Sequence, residues 1–98
     1  MSMAYSSGAW TAKEGEGEAF VSAWTEFAEW LGTMPGAGTA RLVRDLGEPR
    51  RYLSFAPWES ADAMRAWKTA PEFRERMSAV QQHVEQFTPS EFELVAEV

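Results

Sequence analysis

Residue types able to do acid–base or ligand chemistry are scarce in this chain. His83 is the one imidazole, and neither cysteine nor asparagine occurs. Zinc and non-haem iron sites draw on at least two strong nitrogen or sulfur ligands, so no metal centre is expected. Histidine as a type titrates near neutral pH, which makes His83 a candidate base. A place late in a helix, between Gln82 and Val84, equally suits a helix-end cation beside the dipole. No serine is flanked as in a nucleophile elbow. Two glycine-rich stretches, Gly15 to Phe20 and Gly36 to Arg41, begin like a dinucleotide fingerprint but lack its third glycine, and both read as turns.

Aromatic side chains are abundant instead: five Trp, six Phe and two Tyr in 98 residues. Trp24, Phe27, Phe55, Trp67, Phe73 and Met77 sit at spacings that direct them between helices and a sheet. On pattern alone such stripes are core more often than pocket. As a pocket they would take a small aromatic or apolar molecule. Tyr52 and Trp58 are candidates that equally brace strand ends. Arg44 is a candidate for charge, or a surface partner of Asp45 or Glu48 with little energetic value.

The elements that would position these residues follow from the pattern. Tyr52, Leu53, Phe55 and Trp58 form an apolar run too short for a helix before Pro57, and read as a strand buried on both faces. Ser60 supplies an N-cap oxygen and Asp62 negative charge in the first turn of a helix bearing Met64 and Trp67. That helix pauses at Thr69 and Ala70 and restarts with Pro71 in a first turn, after which Phe73, Met77, Val80 and Val84 form a stripe. Earlier, Ala4 to Ala12 is a first strand whose Ser6-Ser7-Gly8 centre is a poor strand former, leaving room for a ligand or a closely packed helix. A turn at Lys13 to Gly17 leads to a helix over 18–32, with Phe20, Trp24, Phe27 and Leu31 as its buried stripe. Met34-Pro35-Gly36 ends it, and a second strand spans Thr39 to Leu46. After Pro89 breaks the chain, Phe92, Leu94, Ala96 and Val98 alternate with acids as a last strand.

The resulting order is βαββαβ, an α+β ferredoxin-like arrangement of four antiparallel strands with two helices on one face, in a single domain over 1–98. Leu42, Val43, Leu46, Leu53, Phe55, Tyr52 and Trp58 place bulk on both faces of strands two and three. Two helices cover only one face, so the other needs a second layer, which a second copy of the chain would supply as a homodimer.

The pattern W-E-S-x-x-A-M-x-x-W from Trp58 to Trp67, followed by Pro71-Glu72-Phe73, resembles the antibiotic biosynthesis monooxygenase family of dimeric α/β-barrel proteins. The likeness runs from about Trp10 to Val98. It implies the same fold and homodimer, and a ligand pocket between helices and sheet. It also implies a role for Trp67, which matches a tryptophan contacting substrate or haem in characterised branches. The haem-degrading branch has a histidine ten residues after that tryptophan, where this chain has Met77, so haem is not expected. Both that branch and the polyketide-oxidising branch use a pocket asparagine, absent here, and Phe73 stands where the latter has a tyrosine. The resemblance thus implies a cofactor-free monooxygenase acting on an electron-rich aromatic or quinol, with Trp67, Tyr52 and His83 as catalytic candidates. A non-catalytic dimeric binding module is the alternative.

The formal net charge of −6 argues against nucleic acid or an anionic membrane as partner, since both need a basic face. The first ten residues lack a basic segment followed by an apolar one, and no apolar run approaches membrane-spanning length. A cytoplasmic protein is expected.

Overall fold

A computed structural model describes residues 3–98. In chain order its elements are strand β1 (Ala4–Ala12), helix α1 (Gly17–Leu31), strands β2 (Arg41–Arg44) and β3 (Arg51–Trp58), helices α2 (Ala61–Lys68) and α3 (Phe73–Gln81), and strand β4 (Val84–Glu93). The strands form one antiparallel sheet in the order β2-β3-β1-β4. This is the expected ferredoxin-like α+β fold, with the second helix broken into two.

That break has a local cause. Ser60 Oγ accepts from the Ala63 N–H at 3.1 Å, capping α2. After eight helical residues the helix closes at Thr69, whose hydroxyl donates back to the carbonyls of Arg65 and Ala66. Pro71 falls in the connection, where its missing N–H leaves no helical bond unmade.

The helices cover one sheet face. Ala4, Ser6, Gly8, Trp10 and Ala12 of β1 point to it, as do Tyr52, Ser54, Ala56 and Trp58 of β3, and all nine are buried. Period-two alternation produces this, because a strand sends successive side chains to opposite faces. Phe20, Trp58, Met64 and Val80 are the largest fully buried side chains, each with under 2% exposure. The opposite face carries Val43, Leu53 and Phe92, which stay 45%, 46% and 56% exposed. A half-apolar bare face was expected from strands two and three.

Four details differ from expectation. The last strand starts at Val84 and ends at Glu93, so Pro89 lies inside it and residues 94–98 lie beyond. Strand β4 is a sheet edge, where a residue without an N–H needs no ladder partner on its open side. Val84, expected on a helical stripe, therefore opens a strand. Strand β2 spans four residues rather than eight. Asp45 Oδ1 accepts from the N–H groups of Gly47 at 2.8 Å and Glu48 at 3.2 Å, pulling the chain into a turn and leaving Leu46 wholly exposed. In α1, Trp30 is buried while Trp24 is only half-buried, so the buried stripe reads Phe20, Phe27, Trp30 and Leu31.

Candidate active site

Between the helices and the sheet lies a cavity of about 320 Å³, within the size range of small-molecule sites. Its floor follows from side-chain size. On the covered face, the middles of β1 and β3 carry only Ser6, Gly8, Ser54 and Ala56, flanked by Trp10, Tyr52 and Trp58. Small residues in the centre and large ones at the ends leave a depression. Helix α1 roofs it with Trp24, Phe27 and Leu31, while Trp67, Phe73 and Met77 close it from α2 and α3.

One wall is a stack. Trp10 and Phe87 pair across β1 and β4 with ring centroids 4.1 Å apart. The space above Gly8 is already taken, since a Cβ there would meet Phe87 Cε1 and Trp10 Nε1 at 2.8 Å. Glycine is what lets the two rings lie flat over the strand. Trp10 Nε1 donates to Ser54 Oγ at 2.9 Å, and Ser54 Oγ lies 3.5 Å from the Gly8 carbonyl.

Trp67 sits at the centre of an aromatic cluster. Its ring stacks on Trp58 at 5.2 Å, meets Phe73 edge-on at 5.0 Å, and lies 5.7 Å from Phe27. It is only 4% exposed, yet its indole Nε1 has no hydrogen-bond partner among the described residues. A buried unpaired donor costs about 1–3 kcal/mol, so its retention calls for a reason. The neighbouring tryptophan shows the contrast: Trp58 Nε1 donates to Ser6 Oγ at 3.1 Å. No acceptor for the Ser6 hydroxyl proton occurs among the described residues, and Ser6 also lines the cavity. The lining is thus mainly aromatic and apolar, with few polar groups among its residues, a combination suited to a flat apolar molecule.

The sequence candidates divide into two groups. Trp24, Phe27, Trp67, Phe73 and Met77 line the cavity, whereas Phe55 borders it only through its strand, because alternation along β3 turns its side chain to the opposite face with Leu53. Trp58 does not, being fully buried behind Trp67. Tyr52 packs on Phe20 at 4.8 Å with the Arg44 guanidinium 5.6 Å above its ring, and both contribute to a separate, shallower recess with Val21 and Leu42. His83 lies one residue past the α3 cap, with Nδ1 2.9 Å from Glu16 Oε1, joining the end of α3 to the start of α1. Pattern reading missed Ser54, Trp10, Phe87 and Lys68 as lining residues. The Tyr-x-Ser-x-Ala-x-Trp alternation of β3, large at the ends and small in the middle, was the available signal for Ser54.

No group of three or more His, Cys, Asp or Glu side chains suited to a metal ion occurs among the described residues. Nor is any described helix long and apolar enough to cross a membrane.

The family model described as antibiotic biosynthesis monooxygenase matches residues 3–87. No curated protein matches the chain significantly. Among solved structures, a variant of SnoaB, a cofactor-independent oxygenase from Streptomyces nogalater, superposes with a TM-score of 0.90 at 20% identity, over 98% of this chain and 96% of that one. A Bordetella bronchiseptica protein assigned to antibiotic biosynthesis monooxygenases gives 0.85 at 17% identity, over 98% and 100%. One from Deinococcus radiodurans, assigned likewise, gives 0.85 at 17%, over 97% and 95%. At these identities the likeness concerns the fold.

Proposed function

The chain belongs to the antibiotic biosynthesis monooxygenase family, and from that premise we propose that it is a small cofactor-free monooxygenase acting on an electron-rich aromatic or quinol-type substrate held beside Trp67. The observation that carries the reading is the apolar, aromatic cavity that Trp67 lines, with its buried indole N–H left unpaired among the described residues. A carbonyl or phenolic oxygen of the substrate takes that donor, while Phe27, Phe73 and Met77 pack the rings.

The chemistry needs little from the protein if the substrate supplies the electrons. Oxidation of a ring methylene or an activated ring carbon to a carbonyl releases four electrons. One O2 accepts all four, placing one oxygen in the product and the other in water, so no external reductant enters. The substrate anion passes an electron to O2, the radical pair forms a carbon–oxygen bond, and loss of water gives the carbonyl. The chain's contribution is orientation, a donor to hold the ionised oxygen, and exclusion of bulk water.

A second reading, a non-catalytic binding module, is favoured by a specific feature: no carboxylate or imidazole lines the cavity among the described residues. Oxygen uptake over a panel of hydroxylated naphthalenes and anthrones separates the two. The oxygenase reading expects uptake above the spontaneous rate for at least one member, and a strong drop in Trp67→Phe. Binding of the panel with no uptake by any member would establish the module instead.

We further propose that the bare sheet face, with Val43, Leu53 and Phe92, is covered by a second copy in a homodimer. Sedimentation equilibrium at low micromolar concentration checks this; a folded monomer would contradict it.

A further inference from the structure

Among the described residues, Lys68 is the one ionisable side chain that lines the cavity. The chain has 15 Asp and Glu against nine Lys and Arg, and still none of the acids lines the cavity among the described residues. Lys68 directly follows Trp67 in the last turn of α2. Its Nζ lies 3.0 Å from Glu91 Oε2 on β4, with the two side chains 26% and 41% exposed. Glu91 itself is not a lining residue. The ion pair therefore links the end of α2 to the edge strand β4. A lysine can lay its stem on apolar surface while its ammonium keeps a polar partner, here Glu91.

From this arrangement we infer that Lys68 selects an aromatic ligand carrying an anionic oxygen, a ring carboxylate or an ionised phenol, which replaces Glu91 as its partner. The inference rests on the reading of the cavity as an aromatic site and specifies its ligand. Three donors, Trp67 Nε1, the Ser6 hydroxyl and the Lys68 ammonium, belong to lining residues, and an anionic oxygen is the acceptor that suits such a set. The exchange is inexpensive, because Glu91 is exposed enough to rehydrate as it leaves and Lys68 remains paired throughout. Lys68 is also a last-turn cation at the negative end of the α2 dipole. That structural role stabilises the helix but gives no discrimination between charged and neutral ligands.

Isothermal titration calorimetry of the full chain with 2-naphthol, 2-naphthoate and a nitronaphthol ionised at neutral pH tests the inference. The expected result is that at least one of the two anions binds about fivefold tighter than 2-naphthol; which one does identifies a carboxylate or a phenolate as the favoured group. Lys68→Met should erase that preference, Lys68→Arg should keep it, and Glu91→Gln should enlarge it. Circular dichroism verifies that the variants fold, and Lys68→Arg with Glu91→Gln carries the test if Lys68→Met does not. Neutral and anionic ligands binding the wild type equally, or a preference that persists in Lys68→Met, would overturn the role of Lys68 while leaving the aromatic site intact. Failure of all three probes to bind would instead remove the aromatic-site reading, and this inference with it.

Discussion

Trp58 and Trp67 stack on each other 5.2 Å apart, and the regions around them are built to opposite specifications. Trp58 itself is satisfied: the side chain is fully buried, its N–H finds Ser6, and Met64 in the same core cluster is similarly enclosed. Around Trp67 the same kind of ring is left with an unpaired N–H and an adjoining cavity. A core selected for stability alone would fill that space, since close packing is the norm for interiors. The difference teaches that one aromatic cluster serves two ends: its Trp58 side holds the fold together, and its Trp67 side is kept open.

The most severe test of this division is Trp58→Ala. Removing a fully buried tryptophan and stranding Ser6 should cost about 3–5 kcal/mol, read as a fall in the denaturant midpoint; a loss under about 1 kcal/mol would break the comparison. Next comes Gly8→Ala, which puts a methyl into space already held by Phe87 and Trp10. Overpacking of this kind costs about 1–3 kcal/mol, and it should weaken ligand binding as well, because the displaced rings form a cavity wall. Trp67→Phe should behave differently. The lost volume is offset in part by removal of an unsatisfied donor, so the net stability change should stay within about 1 kcal/mol. Affinity for a hydroxylated naphthalene should nevertheless fall about tenfold, the value of one hydrogen bond to a charged or strongly polar oxygen. A large stability loss with unchanged affinity would make Trp67 a second Trp58. The smallest effect belongs to His83→Ala. Its pair with Glu16 is part-exposed and lies off the cavity lining, so thermal unfolding should change by under about 1 kcal/mol and ligand affinity not at all.

How far the sequence foretold this depends on the range of the interactions involved. Signals carried by neighbouring residues were legible: the Ser60 cap, the pause before Pro71, and the strand from Tyr52 to Trp58. The aromatic lining was legible too, because Trp24, Phe27, Trp67, Phe73 and Met77 recur at helical spacing. The partners that set one indole apart from another were not, since Ser6 lies 52 positions from Trp58 and Ser54 lies 44 from Trp10. No local pattern encodes which indole will find a hydroxyl. Strand β4 was misplaced because proline is a breaker in most contexts and a tolerated residue at a sheet edge, and edge status depends on the topology of the whole sheet.

Pro89 has a bearing on solubility as well. An edge strand displays a row of unpaired amides and carbonyls that another chain can extend, the first step toward fibrous aggregation. Here the ten-residue edge β4 carries a proline opposite Gly8 and three acids, Glu85, Glu91 and Glu93, while the other edge, β2, offers only four residues with an arginine at each end. Both borders resist strand-by-strand growth, one by a missing amide and repelling charge, the other by brevity. The sheet is finite by construction at its sides, and further β-pairing there is discouraged.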